Sequence, residues 1–418
     1  MSETRRFKHV AVAGITFQAG SSAIDSSTIM SALVFQLTGN PILVGAVTAI
    51  LRFGWLFPQL IVGYLAQHGG SSMRYYVIGA FGRALAMGLM ALVLALGAGW
   101  SAGVLAGLVM VIWTVYAFVS GIVGVPYNDI VARSVAPNLR SRLLATRFFG
   151  GGLLALVVVG FADRLVTTLA FPLSYAAIVA MAAGLMLLSS VVFTVMGEPD
   201  SAPKKTGAKS QKPTFFQHLK EGVGVFQTDL TFRKFVYAQW CGGAVLMAMP
   251  FYVVQAAHSG VDLVDIAWLM GAQTVGALIS NVLWGWWGDH LGKVSLLRGI
   301  ALGRLLPPAI ALASGLGLFT GSGEMFYVYL AVFFALGALA NGLTIAVIGF
   351  LMEISPDDRR PAYSGYFNAI TAPAFLLPLL AGLLAALVGL DVVFLLAMIA
   401  AALQVYFLHR IDVCAASA

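Results

Sequence analysis

The stretch AGSSAIDSSTIMSAL, residues 19–33, carries Asp25 near the middle of a long apolar segment. A carboxylate at that depth is costly, and ionisable groups inside apolar segments mark solute or ion pathways, proton relays or buried ion pairs. The other acids fall elsewhere: Asp129 and Glu353 at segment ends, Asp163, Asp262, Asp265, Glu324 and Asp391 at or beyond the opposite ends, the rest in loops and tails. All six histidines are also terminal or in loops. Bases in mid-segment are nearly as scarce. Arg52, in AILRFGWLFPQL, has no easy route to a surface, whereas Arg83 and Arg304 lie about two turns from one and are expected to snorkel.

The elements that must position Asp25 and Arg52 follow from composition. Of 418 residues, 60% are hydrophobic and only 10% charged, against about 25% charged in soluble domains. Nearly charge-free runs of about 20 residues recur along the chain, and runs of that length span a bilayer as helices. The expected class is all-α integral membrane, with twelve spans at 10–37, 42–66, 75–98, 102–126, 146–166, 173–197, 231–256, 264–288, 297–316, 325–352, 363–388 and 392–410. An even number puts both termini on one side. Lys and Arg concentrate in the termini and loops of that face, which the positive-inside bias makes cytoplasmic; the opposite face has Arg164. The expected location is multi-pass in a bacterial inner membrane. The same bias accounts for the net charge of +7 without a nucleic-acid partner. Two cysteines, Cys241 in a span and Cys414 in the tail, imply no disulfide framework.

The longest break, 198–230, divides the chain into an N-terminal bundle, 1–197, and a C-terminal bundle, 231–418. Its first half is a Pro-, Lys- and Ser-rich flexible linker. Its second half spaces Phe215, Phe216, Leu219, Val223 and Phe226 as in an amphipathic helix lying on the membrane surface, with a plain tethered loop the alternative. The halves repeat each other. Arg83 in GAFGRALA and Arg304 in IALGRLLP stand 221 positions apart, as do Gln18 and Gln239, and APNLRSRLLA resembles SPDDRRPAYS. Such internal repeats are how many transporters are built.

The loop after the eighth span, GWWGDHLGK (285–293), has the form G-x-x-x-D-x-x-G-[RK]. It resembles the signature loop of the major facilitator superfamily. The matching loop in the first half, GYLAQHGGS (63–71), keeps Gly63 and Gly70 but has Gln67 for the acid and Ser71 for the base. The resemblance covers the whole chain through its twelve spans, two halves and basic linker, and it implies two pseudo-symmetric six-helix bundles. It also implies a cytoplasmic gate at Gly285, Asp289, Gly292 and Lys293, where the loop latches the two halves.

Asp25 lies twelve residues from the outer end of span 1 and Arg52 ten from that of span 2, depths of roughly 18 and 15 Å. Two consecutive antiparallel spans can bring the charges together. Gln18, Ser21, Ser22, Asp25 and Thr28 share one side of span 1; Thr48, Arg52, Trp55 and Gln59 share one side of span 2. Polar stripes of this kind face a cavity or another helix. The repeat-matched positions in the second half are near Leu246 and Thr274, so the charge pair belongs to the first half alone. Two readings stay open: a permanent pin between spans, whose half-removal costs about 3–5 kcal/mol, or a switchable pair that a proton or a charged solute opens. The cavity-lining candidates are Gln18, Ser22, Thr48, Trp55, Gln239, Trp240, Gln273, Asn281, Asn341 and Asn368, beside the soft apolar Met247, Met249 and Phe251. Pro58, Pro126, Pro250, Pro373 and Pro378 are expected to kink their helices.

These residues point to a secondary transporter that moves a small organic, charged or amphipathic solute by alternating access. The resemblance implies a proton as the coupling ion, with sodium the alternative. No G-x-x-x-x-G-K-[ST] loop is present to bind a driving nucleotide. No metal-ligand spacing or nucleophile–base set suggests an enzyme, and no cofactor is expected. The expected partners are the solute, the coupling ion and the bilayer, with the chain a monomer. The rivals are an exporter of drug- or lipid-like amphiphiles and a non-transporting sensor or assembly factor on the same fold. Span 5 has Gly150, Gly151 and Gly152 but lacks the proline of the superfamily's drug antiporters, which counts against the first.

Overall fold

The computed structural model describes residues 3–67, 71–198, 223–318, 322–355 and 360–411, and every regular element among them is helical. The first half comprises α1 (Glu3–Ser22), α2 (Ile29–Thr38), α3 (Pro41–Gln67), α4 (Ser72–Leu96), α5 (Ala102–Ser134), α6 (Pro137–Thr168) and α7 (Leu173–Val195). The second comprises α8 (Leu230–Leu246), α9 (Phe251–His258), α10 (Ile266–His290), α11 (Lys293–Gly303), α12 (Leu306–Gly315), α13 (Ser322–Ile354), α14 (Arg360–Thr371), α15 (Leu377–Leu387) and α16 (Leu390–His409). Eleven stretches among the described residues are long and apolar enough to cross a membrane; ahead of them stand α1 and the short apolar α2, which occupy the place of the expected first crossing. Most of the linker, 199–222, lies outside the described residues, and with it Phe215, Phe216 and Leu219 of the expected surface helix.

Individual helices show why a uniformly apolar sequence still chooses an inside. On α4, Ile78, Leu85, Leu89, Leu92 and Leu96 recur at helical spacing and are exposed, whereas Tyr76, Ala80, Ala84, Met87, Ala91 and Leu94 are buried. Both faces are apolar, so hydrophobicity does not separate them. The small residues do, because they let helices approach closely and leave large aliphatic side chains for lipid. Within the first half α4 packs on α5 and α7, α3 on α5, and α1 on α6 and α7; within the second, α10 packs on α13 and α16 on α8, α11 and α12.

Four expected spans are interrupted. The first crossing stops at Ser22 and resumes at Ile29. Ser21, Ser22, Ser26, Ser27, Thr28 and Asp25 cluster there, and such side chains offer the backbone local hydrogen bonds that compete with a helix. The seventh crossing breaks at 247–250, where Pro250 has no N–H to donate. These two breaks occupy matching places in the 221-residue repeat. The ninth breaks between Gly303 and Leu306, just before Pro307 and Pro308. The eleventh tightens into a 3-10 segment over Ala372–Leu376, between α14 and α15 and beside Pro373 and Pro378. Pro58 and Pro126 lie within unbroken helices.

The halves meet through α3 on α15, α6 on α10, and α2 on α9. These contacts run from mid-membrane toward the end remote from the termini. There the backbones nearly touch: a Cβ on Gly45 would lie 2.2 Å from the Pro378 carbonyl oxygen, and one on Gly382 would lie 2.6 Å from that of Pro41. Phe35 of α2 sets its ring edge-on to His258 of α9, with centroids 5.5 Å apart.

Candidate functional site

A cavity of about 420 Å³ lies between the halves at the level of the first and seventh breaks. Its first-half wall is Gln18 and Ser22 from the last turn of α1, Asp25, Ser26 and Ser27 from the break, Thr48 and Arg52 one turn apart on α3, and Phe148, Gly152 and Ala155 of α6. The second-half wall carries no charge. It is formed by Gly243, Leu246 and Met249 around the seventh break, by one face of α10 (Met270, Gln273, Thr274, Ala277, Asn281), by Gly337, Ala340 and Asn341 of α13, and by Ala374, Phe375 and Pro378.

The break shapes the carboxylate. Asp25 Oδ1 accepts from the Ser27 amide at 2.9 Å, the Ser27 hydroxyl at 2.5 Å and the Thr28 hydroxyl at 3.0 Å. The first of these closes an Asx-turn, in which an aspartate bonds the backbone two residues on. The Asp25 carbonyl then accepts from Met30 N, and α2 begins. The Ser26 carbonyl left by the break takes the Ser31 hydroxyl at 2.6 Å and the Thr48 hydroxyl of α3 at 3.4 Å. Asp25 is thus the keystone of an interrupted helix, a role that a continuous span 1 would not require.

Arg52 faces the same cavity without touching Asp25. No ion pair within 4.0 Å joins them, and Arg52 has no hydrogen bond to any described residue. Its side chain is solvent-exposed in area yet has protein around it on all sides, as expected for a group projecting into an internal cavity. Asp25 reaches it only as a longer-range field. The direct contact that adjacent spans leave open is not made in this conformation, where the turn donors hold Asp25 at the break.

Of the other candidates, Gln18, Ser22, Thr48, Gln273, Asn281 and Asn341 line the cavity. Asn341 donates to Asn281 Oδ1 and to the Ala277 carbonyl, each at 3.3 Å, tying α13 to α10. Trp55, Gln239, Trp240 and Asn368 are not among the lining residues. Trp55 is half exposed on α3, and Trp240 packs on a second-half apolar cluster. Asn368 is exposed, and Gln239 lies near Gly242 beside Arg304. Arg304 does not snorkel: it is buried and donates to Gln404 Oε1 at 2.9 Å and to the Gly242 carbonyl at 2.8 Å. Arg83 is buried too, with its guanidinium 4.0 Å from the Phe17 ring centroid. Fixed helix-to-helix contact, available at both positions, replaces the expected route to the surface.

The gate motif is partly described. Gly292 has φ +84°, a left-handed conformation that favours glycine, and it ends the turn after α10. Gly285 has open space where a Cβ would be. The Lys293 stem packs against Gly288 and Gly349, both in the second half. The Asp289 side chain lies outside the described residues.

One polar cluster escaped the sequence reading. Glu198, taken as the first linker residue, accepts from the N-terminal amides of α4 at Ser72 and Met73, from the Ser71 hydroxyl, and from Arg133 at 2.8 Å; Arg133 also bonds Asp129 at 2.5 Å. Burial alone would raise the Glu198 carboxyl, but the Ser71, Arg133, Met73 and Ser72 donors together outweigh it and hold it below its usual range. Its partners stand 65 to 127 positions away, so no local pattern reveals them.

A family model described as "Major Facilitator Superfamily" matches residues 247–412. No curated protein matches the chain's sequence. Among solved structures, the nucleoside transporter NupG aligns at TM-score 0.75 and 10% identity, over 98% of this chain and 100% of that one. A bacterial homologue of the iron transporter ferroportin aligns at 0.64 and 15% identity in its inward-facing state, over 98% and 99%, and at 0.60 in an outward-facing state. The fucose:proton symporter FucP of E. coli aligns at 0.61 and 15% identity, over 99% and 100%. Identities this low speak for the fold alone. That fold extends over nearly the whole chain, and residues 247–412 carry the sequence match to the Major Facilitator Superfamily model.

Proposed function

We propose that the protein is a secondary active transporter that carries a small organic solute across the membrane by alternating access. Residues 1–197 and 231–418 are the two moving bodies, and a proton gradient drives the cycle. The observation that carries this reading is the placement of a cavity between two helix bundles, at matched helix breaks, with the bundles among the described residues packed together chiefly from mid-membrane to the end remote from the termini. Interrupted helices at a central site are how such transporters form their binding pockets. A cavity beside bundle contacts at the distal end fits access from the termini side. Gln18, Ser22, Thr48, Arg52 and Gln273 are the residues proposed to meet the solute.

The test needs no knowledge of the solute. Spin labels on cysteines at Thr38 and Ser259 report the distal end; labels at Arg74 and Leu291 report the other. Native Cys241 and Cys414 are replaced first. Two distance populations at each end, shifting in opposite senses with pH or solute, are expected. A single unchanging distance at both ends under every condition sinks the transport reading.

A further inference from the structure

The central cavity holds a cation that Asp25, on the same wall, reaches only as a longer-range field. Arg52 has neither ion pair nor hydrogen bond among the described residues, and Asp25 Oδ1 is engaged by three donors of its own turn. Two more guanidiniums stand behind the same wall. Arg83 lies over Phe17, next to the cavity-lining Gln18. Arg147 donates to the Tyr127 hydroxyl at 3.0 Å and stacks toward Phe148, itself a lining residue. The first half thus sets one guanidinium in the cavity and two behind its wall against one lining carboxylate among the described residues, and in a poorly solvated cleft such an imbalance concentrates anions. The repeat sharpens the point. Arg304, the second-half counterpart of Arg83, is satisfied by Gln404 and a backbone carbonyl, and the position matching Arg52 is the neutral Gln273. The surplus charge is confined to one wall. Opposite it, Leu246, Met249, Met270 and Phe375 offer a soft apolar surface, and thioether side chains adapt to varied shapes.

We infer that the solute is a small amphipathic organic anion whose carboxylate, or an equivalent oxyanion, pairs with Arg52 while its apolar body lies against the second-half wall. This rests on the transport reading and specifies its cargo. A planar guanidinium fork matches a carboxylate with two parallel hydrogen bonds, which a lysine would not reproduce. The cavity volume of about 420 Å³ is that of an ordinary small-molecule pocket.

The experiment uses the purified full-length protein in detergent and follows its melting temperature, which rises when a ligand binds only the folded state. The probes are phenylacetate, hexanoate and benzenesulfonate, each beside a neutral amide and a primary amine of matched skeleton. Wild type is compared with Arg52→Gln and Arg52→Lys. The acids are expected to raise the wild-type melting temperature in a saturable way, and the amides and amines are not. Arg52→Gln is expected to weaken the acids roughly tenfold or more, as loss of a charge-assisted hydrogen bond does, with Arg52→Lys between. Equal affinity in Arg52→Gln overturns the proposal, as does an amide or amine preferred over its acid, or no acid bound at millimolar concentration. Should Arg52→Gln fail to fold, the acid-against-amide comparison on wild type still decides. If acids bind through Arg52 while the spin-label distances never change, the anion site stands and the transport reading fails; moving labels without acid binding give the reverse.

Discussion

Asp25 and Arg52 look alike in the sequence, each a rare charge at membrane depth, but the structure gives them different work. Asp25 organises the break, so Ser27→Ala and Thr28→Val each remove a donor to it. Each is expected to lower stability by about 0.5–1.5 kcal/mol, read as a lower melting temperature in detergent, without altering which solute class binds. A larger effect is expected in the second half. Gln404→Leu deprives the buried Arg304 of its side-chain acceptor and leaves it the Gly242 carbonyl alone, which costs about 1–3 kcal/mol. Glu198 gives a pH signature. Its carboxyl is held below the unfolded value, so folding gains from the charged form above that value and loses the gain as pH falls through the folded one. Wild-type stability should therefore decline as pH drops below about 4.5, and Glu198→Gln should flatten that decline. An unchanged slope in the variant would show that the α4 cap is not the acid-sensitive element.

At the scale of elements, the distal closure depends on two glycines. With a Cβ on Gly45 already 2.2 Å from the Pro378 oxygen, Gly45→Leu cannot be accommodated unless α3 and α15 separate. Labels at Thr38 and Ser259 should then report a longer distance than in wild type, while those at Arg74 and Leu291 report a shorter one. A distal distance unchanged in this variant would mean that the helices yield locally and that the glycine contact does not hold the gate. The interrupted crossings belong to this scale too. The run of Ser, Thr and Asp around residue 25 and the proline at 250 are both visible in the sequence, and each foretells a weakened helix. A kink and a complete break have the same local signature, and packing against neighbouring helices selects between them.

For the whole molecule, the consequence is that one end must open as the other closes. A flexible bismaleimide joining cysteines at Thr38 and Ser259 should abolish solute flux while leaving the melting-temperature response to a bound solute intact, because the cavity stays accessible from the termini side. Flux persisting through that cross-link would contradict movement of the two halves about the cavity.

By itself, the sequence determined the membrane class and the approximate positions of the crossings, and it pointed to the superfamily whose model matches residues 247–412, because these follow from apolar run length and a short glycine-bearing loop. It also singled out Asp25 and Arg52, since charge at that depth is rare enough to be noticed without coordinates. Only the tertiary structure decided what those charges face. Adjacent spans and similar depth made a direct pair reasonable, but three donors within its own turn hold the carboxylate at the break, and α3 turns the guanidinium into open cavity. The same limit explains Trp55, Gln239, Trp240 and Asn368, which are polar or aromatic at plausible depth yet do not line the cavity. Depth comes from residue count along one helix; facing comes from how that helix is rotated against its neighbours, and that is set by glycine-to-backbone contacts such as Gly45 on Pro378 across hundreds of residues of chain.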